Sequence, residues 1–510
     1  LIIFAILYNR KFTPLFILIV LALIFSKKIE LGIISKKLEG YKVLIYRSSK
    51  YADYTVVSHK NTKAIFNTGM LENNFPVDES ALMRMELAVV LARGFRRALV
   101  IGSPIPILVL KNLPFKEIDY VQIDPVSVAI YKNFLNLNDK RIKIHFVDGR
   151  RFINHTISLY DIIVINVAEP TNLLLNRYYT LEFFEKLSQI LTPNGVATIS
   201  VRSSPVYLMD ELLSYNGVIY HTVKKVFKDI LIIPGYKLTF IFGKSIEKNT
   251  DTLREYIEKV KTSYLTKEGV KVLLYPYTVE FITRELTDYK PEFLNRDTHP
   301  VSYYFNLIFQ SITRGGKVHK IFETLLQIKF IYVLIVIAII CMILRKILLR
   351  EIFAIGGLGF INMGYIIILL NIFELRYGYI YHLIGLTSGM FMLGLAIGAY
   401  IIKKISRLHI PISVSLALLG ILYLNTQVDI TLLGTLLSAL IFGIIIGYAF
   451  RLVNYIVLQK QSTKYTSGTV YGADMVGAGI GAILTSVVFI PIYGLEKSII
   501  LLILLNLFIS

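Results

Sequence analysis

Hydrophobic residues follow two different periods in the first half of the chain. Short stretches first alternate apolar and polar positions, which predicts β-strands at YKVLIYR, DYTVVSH and TKAIFNTG. Nearly continuous apolar strands then alternate with helical periods, and Asp78 is placed to cap the first of these helices. The predicted strands are RALVIGS, IDYVQID, IKIHFVDG, YDIIVINV and VATISV, and the predicted helices are PVDESALMRMELAVVLARG, residues 105–112, PVSVAIYKNFLNL and TLEFFEKLSQIL, which ends at Pro193-Asn194-Gly195. This alternation is typical of a parallel sheet covered by helices on both faces.

The pattern changes again after Ser203. The segment VKKVFKDILIIPGYKLTFIFGKS predicts antiparallel strands that close the sheet, and residues 252–327 have mostly helical periods. The rest of the chain is apolar in seven runs, which are long enough to be membrane helices rather than core helices. The runs are 329–344, 352–372, 380–402, 410–425, 430–450, 470–491 and 496–510. Repeated glycines in GMFMLGLAIGAY, FGIIIGYAF and YGADMVGAGIGAI predict close packing between helices in lipid.

These shifts predict the domain organisation. The predicted parts are the end of an N-terminal transmembrane region at 1–27, a β-strand region at 40–75, an α/β domain at 76–250, a helical extension at 251–327 and a transmembrane bundle at 328–510. The chain begins at Leu1 inside an apolar stretch. We therefore expect an N-terminally truncated sequence with further membrane helices upstream.

Composition supports a membrane protein. Of the 510 residues, 55% are hydrophobic and only 18% are charged, whereas soluble proteins carry about 25% charged residues. The net charge of +20 is attributed to Lys and Arg loops beside anionic lipid, because no basic stripe interleaved with aromatics predicts nucleic-acid binding. Cys341 is the only cysteine, which excludes disulfides within the chain and paired-cysteine zinc sites. No metal site is predicted.

The predicted location is the cell (plasma) membrane, as a multi-pass protein with the lipid bilayer as a partner. Basic residues at 345–350, 403–407 and 451–464 fall on one side, the cytoplasmic one, if every run spans the membrane. The flanks of the α/β domain, Lys27 and Lys28, then Lys317 and Lys320, are basic as well, so the side that this domain faces stays open.

Polar residues follow four strands of the predicted parallel sheet, where ligands of doubly wound folds bind. Gly102 follows RALVI, Asp124 follows DYVQI, Asp148 and Gly149 follow IHFV, and residues 166–170 follow IIVI. A carboxylate after the second strand can accept both ribose hydroxyls, and Asp148 can accept from an adenine amino group. The sequence therefore predicts an adenosine-type site, with the loop after the fourth strand at the reacting centre.

The order ALVIGSP, DYVQIDP, VDGRRF and YDIIVINVAEP resembles the spermidine synthase (polyamine aminopropyltransferase) family. AEPTNLLLNRYYTLEFFEKLSQILTPNGV, NRDTHPVSYYFNL, RYGYIYHLIGLTSGMFMLGLAIGAY and YGADMVGAGIGAILTSVVFIPIYGLEKS resemble its membrane-embedded branch, so the resemblance extends from about Tyr41 to the end. It implies a Rossmann-like α/β domain of the class I methyltransferase and spermidine synthase type, a small N-terminal β region and an all-α transmembrane bundle.

The resemblance also implies a reaction. An aminopropyl group would pass from decarboxylated S-adenosylmethionine, as co-substrate and without a tightly bound cofactor, to a polyamine amine. The partners would be a small nucleoside and a polyamine, with homo-oligomerisation also possible. The implied site residues are Glu169 and Asn166 for catalysis, Gly102, Asp124, Asp148 and Gly149 for the nucleoside, and Gly69, Tyr178 and Tyr179 for the substrate.

Several positions depart from the family pattern. Asn166 replaces the first carboxylate of the Asp-x-x-Asp-Pro loop and cannot act as a base, whereas Glu169 keeps the second. The glycine-rich loop is reduced to Gly102, followed by Pro104 and Pro106, and proline removes an N–H donor. Met70 stands where a glutamine is expected. Leu82, Met83 and Arg84 replace a Tyr-His-Glu cluster, and Arg84 would repel a polyamine.

Three hypotheses follow. The chain is a membrane-bound aminopropyltransferase or a related transferase with an S-adenosyl donor, or it is a catalytically degenerate relative that binds a ligand. The third hypothesis is a transport-associated protein in which Asp474 and Glu374 act as intramembrane polar groups. A carboxylate inside an apolar run is costly unless it is paired or hydrated; Asp474 is alternatively an interfacial cap near Tyr471.

Overall fold

The computed structural model describes residues 41–205, 207–313, 318–347, 350–377, 381–401, 409–426, 431–460 and 463–509, together with the isolated positions 25, 32, 36, 38 and 40. The predicted N-terminal transmembrane region, apart from Phe25, and the basic residues at 403–407 lie outside the described residues. Two compact units result. The first comprises the described part of Leu1–Met83 with Asp124–Asp139, and the second comprises Arg84–Ile123 with the described part of Lys140–Ser510.

The first unit is an antiparallel sheet of four strands in sequential order. The strands are β1 (Lys42–Ser48), β2 (Asp53–His59), β3 (Thr62–Asn67) and β4 (Met70–Phe75). The first three were predicted, and β4 is joined to β3 by Thr68 and Gly69, whose φ angles of +49° and +78° form a two-residue hairpin turn. Helix α3 (Pro125–Tyr131) belongs to this unit, where the Tyr131 hydroxyl donates to Glu72 at 2.9 Å.

The second unit contains a seven-stranded sheet. Its strands are β5 (Arg97–Gly102), β6 (Glu117–Val121), β7 (Ile142–His145), β8 (Tyr160–Asn166), β9 (Leu191–Arg202), β10 (Asp229–Ile233) and β11 (Lys237–Gly243). The order is β10-β11-β9-β8-β5-β6-β7, in which β5 to β9 run parallel and β10 and β11 are antiparallel. The strand order reverses between β5 and β8, so the predicted Rossmann-like fold is confirmed.

Helices cover this sheet and continue into the helical extension. They are α1 (Glu79–Ala92), α2 (Ile107–Leu110), α4 (Gly149–His155), α5 (Leu173–Asn176), α6 (Leu181–Ile190), α7 (Asp210–Val226), α8 (Thr250–Val260), α9 (Lys267–Leu273), α10 (Pro276–Asp288), α11 (Val301–Thr313) and α12 (Val318–Gln327). Helix α6 buries Phe183, Phe184 and Leu187 against the sheet.

One predicted helix end is wrong. Helix α6 stops at Ile190, and Pro193-Asn194-Gly195 lie inside β9 rather than closing the helix. The pairing of β8 with β9 is irregular between Tyr160 and Ile162, which accommodates the extra residues as a bulge. A Cβ atom on Gly195 would lie 2.7 Å from the Tyr160 carbonyl oxygen, so the bulge brings the two backbones together.

All seven apolar runs are helical over their described residues. The helices are α13 (Phe330–Ile347), α14 (Arg350–Tyr377), α15 (Tyr381–Ile401), α16 (His409–Asn425), α17 (Leu432–Lys460), α18 (Thr463–Leu484), a π-helical segment (Thr485–Tyr493) and α19 (Gly494–Ile509). Among the described residues, three stretches are long and apolar enough to cross a membrane: Arg350–Leu375, Leu432–Gln459 and Gly468–Ile509. Residues 319–346 add a fourth if two helices bent by 101° form one span, whereas the apolar parts of α15 and α16 are shorter.

The 42-residue stretch Gly468–Ile509 folds back on itself, because both of its ends pack on α14 in opposite directions. Along α14, Gly356 approaches Ala473 and Gly364 approaches Thr485, so α18 and the π-helical segment run parallel to α14. Gly357 approaches Ile509 and Gly364 approaches Leu502, so α19 runs antiparallel to α14. The chain reverses at Gly494, whose φ of +81° favours glycine.

Glycines determine the contact between α15 and α17. A Cβ atom on Gly398 would lie 2.0 Å from the Ile444 carbonyl oxygen, and one on Gly394 would lie 2.3 Å from that of Leu440. Gly443 and Gly447 approach α15 from the other side in the same way. Such close backbone approach replaces the hydrophobic driving force that is absent between helices in lipid.

We expect Gly398→Ala to lower the thermal stability of the detergent-solubilised protein, since overpacking costs about 1–3 kcal/mol. Gly389→Ala is the matched control, because Gly389 lies on the same helix and an added Cβ meets nothing within 4 Å. Alanine is intrinsically the better helix former by about 1 kcal/mol, so the control should be neutral or stabilising. Equal thermal midpoints for the two variants would contradict the packing described.

Candidate active site

The ends of β5 and β8 are joined tightly at the carboxyl edge of the sheet. Gly102 and Asn166 are paired in register, and Gly102 has a φ of +95°. A Cβ atom at Gly102 would lie 2.3 Å from the Asn166 carbonyl oxygen, so only glycine fits. The Asn166 side-chain amide donates to the Ser103 carbonyl at 3.1 Å, and the Ser103 N–H donates to the Asn166 carbonyl at 2.8 Å. Asn166 therefore holds the loop after β5.

Asp148 forms a buried cluster with Arg177 and Tyr178. Its carboxylate caps α4 by accepting from the Arg151 N–H at 3.1 Å, and it also accepts from the Tyr178 hydroxyl at 3.2 Å. The Arg177 guanidinium pairs with the same carboxylate, and the two side chains are only 2% and 8% exposed. Burial and the Asp148 charge raise the pKa of Tyr178, which stays a neutral donor. An added Cβ at Gly149 would lie 3.1 Å from the Tyr178 hydroxyl.

Glu169 lies in the loop after β8. It accepts a hydrogen bond from the Arg202 N–H at 2.7 Å and another from the Tyr215 hydroxyl. Burial raises the pKa of Glu169, although both hydrogen bonds oppose the shift. Tyr179 is fully buried and donates to the Ala168 carbonyl at 3.1 Å, which fixes the same loop. This side of the edge thus carries a carboxyl group whose affinity for a proton is increased.

Asp124 and Gly69 belong to the first unit and are described there. Asp124 is buried and caps α3 by accepting from the Val126 N–H at 2.9 Å. It also accepts from the Ser49 hydroxyl at 2.5 Å. Burial, reinforced by the Asp124 charge, raises the pKa of Tyr54. Gly69 provides the hairpin turn, and an added Cβ there would meet nothing within 4 Å.

Residues 295–300 connect the α/β core to the helical bundle. The Asp297 carboxylate pairs with Arg150, whose Nη1 lies 2.7 Å from Oδ1, and accepts from the Thr180 hydroxyl at 2.7 Å. On the other side, the Leu495 N–H donates to the Thr298 carbonyl at 2.7 Å. The His299 ring donates to the Ile492 carbonyl at 2.7 Å, and burial lowers the pKa of this histidine.

Asp148, Glu169 and Tyr178 remain predicted site residues, and the structure adds their partners. Sequence reasoning did not single out Arg177, Arg202 and Tyr215. Arg177 lies next to Tyr178 in NRYYT, which is the only local signal that could have drawn attention to it. Tyr215 is 46 positions from Glu169, and no sequence period connects the two. Of the carboxylates within the apolar helices, Asp474 places Oδ1 against Gly359, and this buried atom has no hydrogen-bond partner in the described part of the chain.

Part of the chain is similar to known proteins. Residues 85–256 match the family described as the spermine/spermidine synthase domain. Polyamine aminopropyltransferase 2 of Bacillus cereus is 26% identical over 192 residues, which cover 36% of this chain and 51% of that protein. The polyamine aminopropyltransferase of Saccharolobus solfataricus is 26% identical over 213 residues, covering 39% and 69%. The chain thus spans about half to two thirds of the length of these curated relatives.

One solved structure also matches part of the chain. The crystal structure of spermidine synthase from Thermotoga maritima is 16% identical and matches with a TM-score of 0.42. The match covers 48% of this chain and 88% of that one.

We expect Arg177→Gln to destabilise the protein by about 3–5 kcal/mol, because it leaves the buried Asp148 carboxylate without its cation. Lys248→Gln is the matched control, since Lys248 pairs with Asp229 at 3.2 Å on the surface, where such pairs contribute under about 1 kcal/mol. Chemical denaturation in one detergent measures both changes. A loss at Arg177 no larger than that at Lys248 would refute the buried pair.

The raised pKa of Glu169 predicts a pH-dependent stability. The unfolded carboxyl group titrates near about 4.3, so the folded state loses relative stability as the pH rises from that value to the raised pKa. The thermal midpoint of the wild type, minus that of Glu169→Gln, should therefore fall between about pH 4 and the raised pKa, then level off. A difference that increases with pH would mean that the folded carboxylate is stabilised instead.

Proposed function

Because residues 85–256 belong to the spermine/spermidine synthase domain family, we propose that this chain is a membrane-bound transferase. It would move an aminopropyl group from decarboxylated S-adenosylmethionine to an acceptor amine. The observation that carries the proposal is the position of Glu169, whose carboxyl group lies in the loop after β8 and is held by Tyr215 and the Arg202 N–H. Burial raises the pKa of this carboxyl group, which is the direction that favours a general base.

The proposed aminopropyl transfer needs one general base, because the acceptor nitrogen loses one proton. The lone pair of the acceptor nitrogen forms a C–N bond to the propyl carbon next to the sulfonium, while the C–S bond breaks. The electron pair stays on sulfur, and methylthioadenosine leaves as a neutral thioether. The proton that the nitrogen loses goes to the Glu169 carboxylate, and such general-base help contributes about 10²- to 10⁴-fold to the rate.

The nucleoside is assigned to the other half of the edge. Gly102 ends β5 and Gly149 opens α4 after β7, so both lie at the carboxyl edge, where doubly wound folds bind nucleosides. Asp148 is oriented by Arg177 and would accept from the adenine amino group. Asp124 belongs to the first unit, and its role toward the ribose hydroxyls stays a prediction from the sequence. Tyr178 and Tyr179 would shape the substrate side of this edge, where their hydroxyls fix Asp148 and the Ala168 carbonyl, and Asn166 holds the loop after β5. Gly69 lies in the first unit, and its role at the substrate stays a prediction from the sequence.

The helical bundle would insert the protein into the cell membrane as a multi-pass protein, with lipid as its surroundings and homo-oligomers as an open possibility. The proposal is supported by three apolar stretches of spanning length among the described residues.

A non-catalytic ligand-binding protein is the second candidate. It is favoured by the commitment of Asn166 to the Ser103 carbonyl, because an amide used in this way replaces a carboxylate of the family loop. In that case the nucleoside would bind without turnover.

Two measurements on the full chain in lipid nanodiscs test both candidates. They are the binding of methylthioadenosine and the turnover of an acceptor amine. We expect methylthioadenosine to raise the thermal midpoint of the wild type and of Glu169→Gln alike, whereas product release falls at least about 10²-fold in Glu169→Gln. Glu185→Gln, an exposed position on α6, is the control and should retain full activity. If the wild type binds methylthioadenosine but forms no product, the second candidate is supported. If the wild type does not bind methylthioadenosine, both candidates are excluded.

A further inference from the structure

Three basic side chains, Arg84, Arg202 and Lys237, lie at the carboxyl edge of the sheet, near the end of β9 and the start of β11. Strand β9 ends at Arg202, and β11 begins at Lys237, directly opposite it in the pairing register. The Arg84 guanidinium donates to the Lys237 carbonyl at 3.0 Å. It also crosses Gly235 so closely that an added Cβ there would lie 2.2 Å from Nη2. Three positive charges are therefore gathered around the ends of two neighbouring strands.

Glu169 lies beside these cations. Its carboxylate accepts from the Arg202 N–H at 2.7 Å, and the charges of Arg202 and Lys237 both act on its titration. Arg202 and Lys237 are exposed, and neither forms a salt bridge with a carboxylate in the part of the chain that the structure describes. The candidate reacting carboxyl group thus has positively charged surroundings that face solvent.

Such surroundings disfavour a polycation. A polyamine placed near Glu169 would carry several positive charges toward Arg84, Arg202 and Lys237, and like charges brought together cost affinity. Guanidinium groups instead match the planar, two-oxygen geometry of carboxylate and phosphate.

Resting on the proposed function, we infer that the acceptor is an amine that also carries an anionic group, a carboxylate or a phosphate. Arg202 and Lys237 would hold that group while the amine faces Glu169, and Arg84 would add its positive charge from its place against the Lys237 carbonyl. The same chemistry occurs in small amino acids, in soluble amino phosphates and in lipid headgroups.

Two carboxylates follow β9 in the chain and could attract a polyamine. They are Asp210 and Glu211, in the first turn of α7. Carboxylates in the first turn of a helix stabilise the helix dipole, and this role accounts for them without a ligand. If they bind the acceptor instead, a simple diamine will be the better substrate.

The test compares acceptors on the full chain in nanodiscs with decarboxylated S-adenosylmethionine as donor. Methylthioadenosine release is measured with putrescine, β-alanine, phosphoethanolamine and nanodiscs containing phosphatidylethanolamine. We expect kcat/KM at least about tenfold higher for an anionic amine than for putrescine. Preference for the lipid over phosphoethanolamine assigns the source to the membrane, and the reverse preference assigns it to solution.

Charge reversal gives the matched variants. Lys237→Glu should raise KM for the anionic acceptor at least about tenfold and lower KM for putrescine, since the reversed charge repels one and attracts the other. Lys237→Arg should retain the wild-type preference. Lys186→Glu is the control and should change neither KM. Lys186 is exposed on α6, and its side chain donates to Gln189 at 3.3 Å.

The outcomes separate the two proposals. Faster transfer to putrescine in the wild type would overturn the anionic acceptor and leave the transferase intact. If no acceptor is used, the transferase proposal fails, and binding of inorganic phosphate then tests the cations alone. Phosphate should raise the thermal midpoint of the wild type and of Lys186→Glu but not of Lys237→Glu, and equal shifts in all three would overturn the inference.

Discussion

Parallel strands must all end at the same edge of a sheet, and the polar chemistry of this chain depends on that constraint. Strands β5 to β9 deliver their following loops to one edge, and the antiparallel β11 adds its first residue there. One half of the edge is narrow backbone around Gly102 and Gly149. The other half carries Glu169 among cations. The sheet thus separates a tightly packed part of the edge from a charged one.

Buried arginines join this edge to the rest of the protein. A guanidinium removed from water needs a full set of acceptors, since an unpaired buried charge is strongly destabilising. Arg177 pairs with Asp148, and Arg150 pairs with Asp297 while also donating to the Arg177 carbonyl. Each pair joins elements that are distant in sequence, so the helices at the edge, the loop at 295–300 and the sheet become one connected structure.

The strands of the seven-stranded sheet could be predicted because most are apolar runs bounded by turn residues, as in RALVIG, whereas their order in the sheet is known only from the structure. Strand β4 was missed because MLENNF is largely polar and little buried. The partners of the site could not be predicted. Arg177 lies 29 positions from Asp148, and Arg150 lies 147 positions from Asp297. Local periodicity records which face of an element is buried, but it does not record which distant side chain satisfies a buried charge.

The loop at 295–300 has a practical consequence for handling the protein. Truncation before α13 would remove Ile492 and Leu495, whose backbone groups satisfy His299 and Thr298. The excised lobe would keep Asp297 bound to Arg150 but would expose the opposite face of the same loop to water. The α/β lobe and the helical bundle are therefore best purified together, because the loop takes hydrogen-bond partners from both.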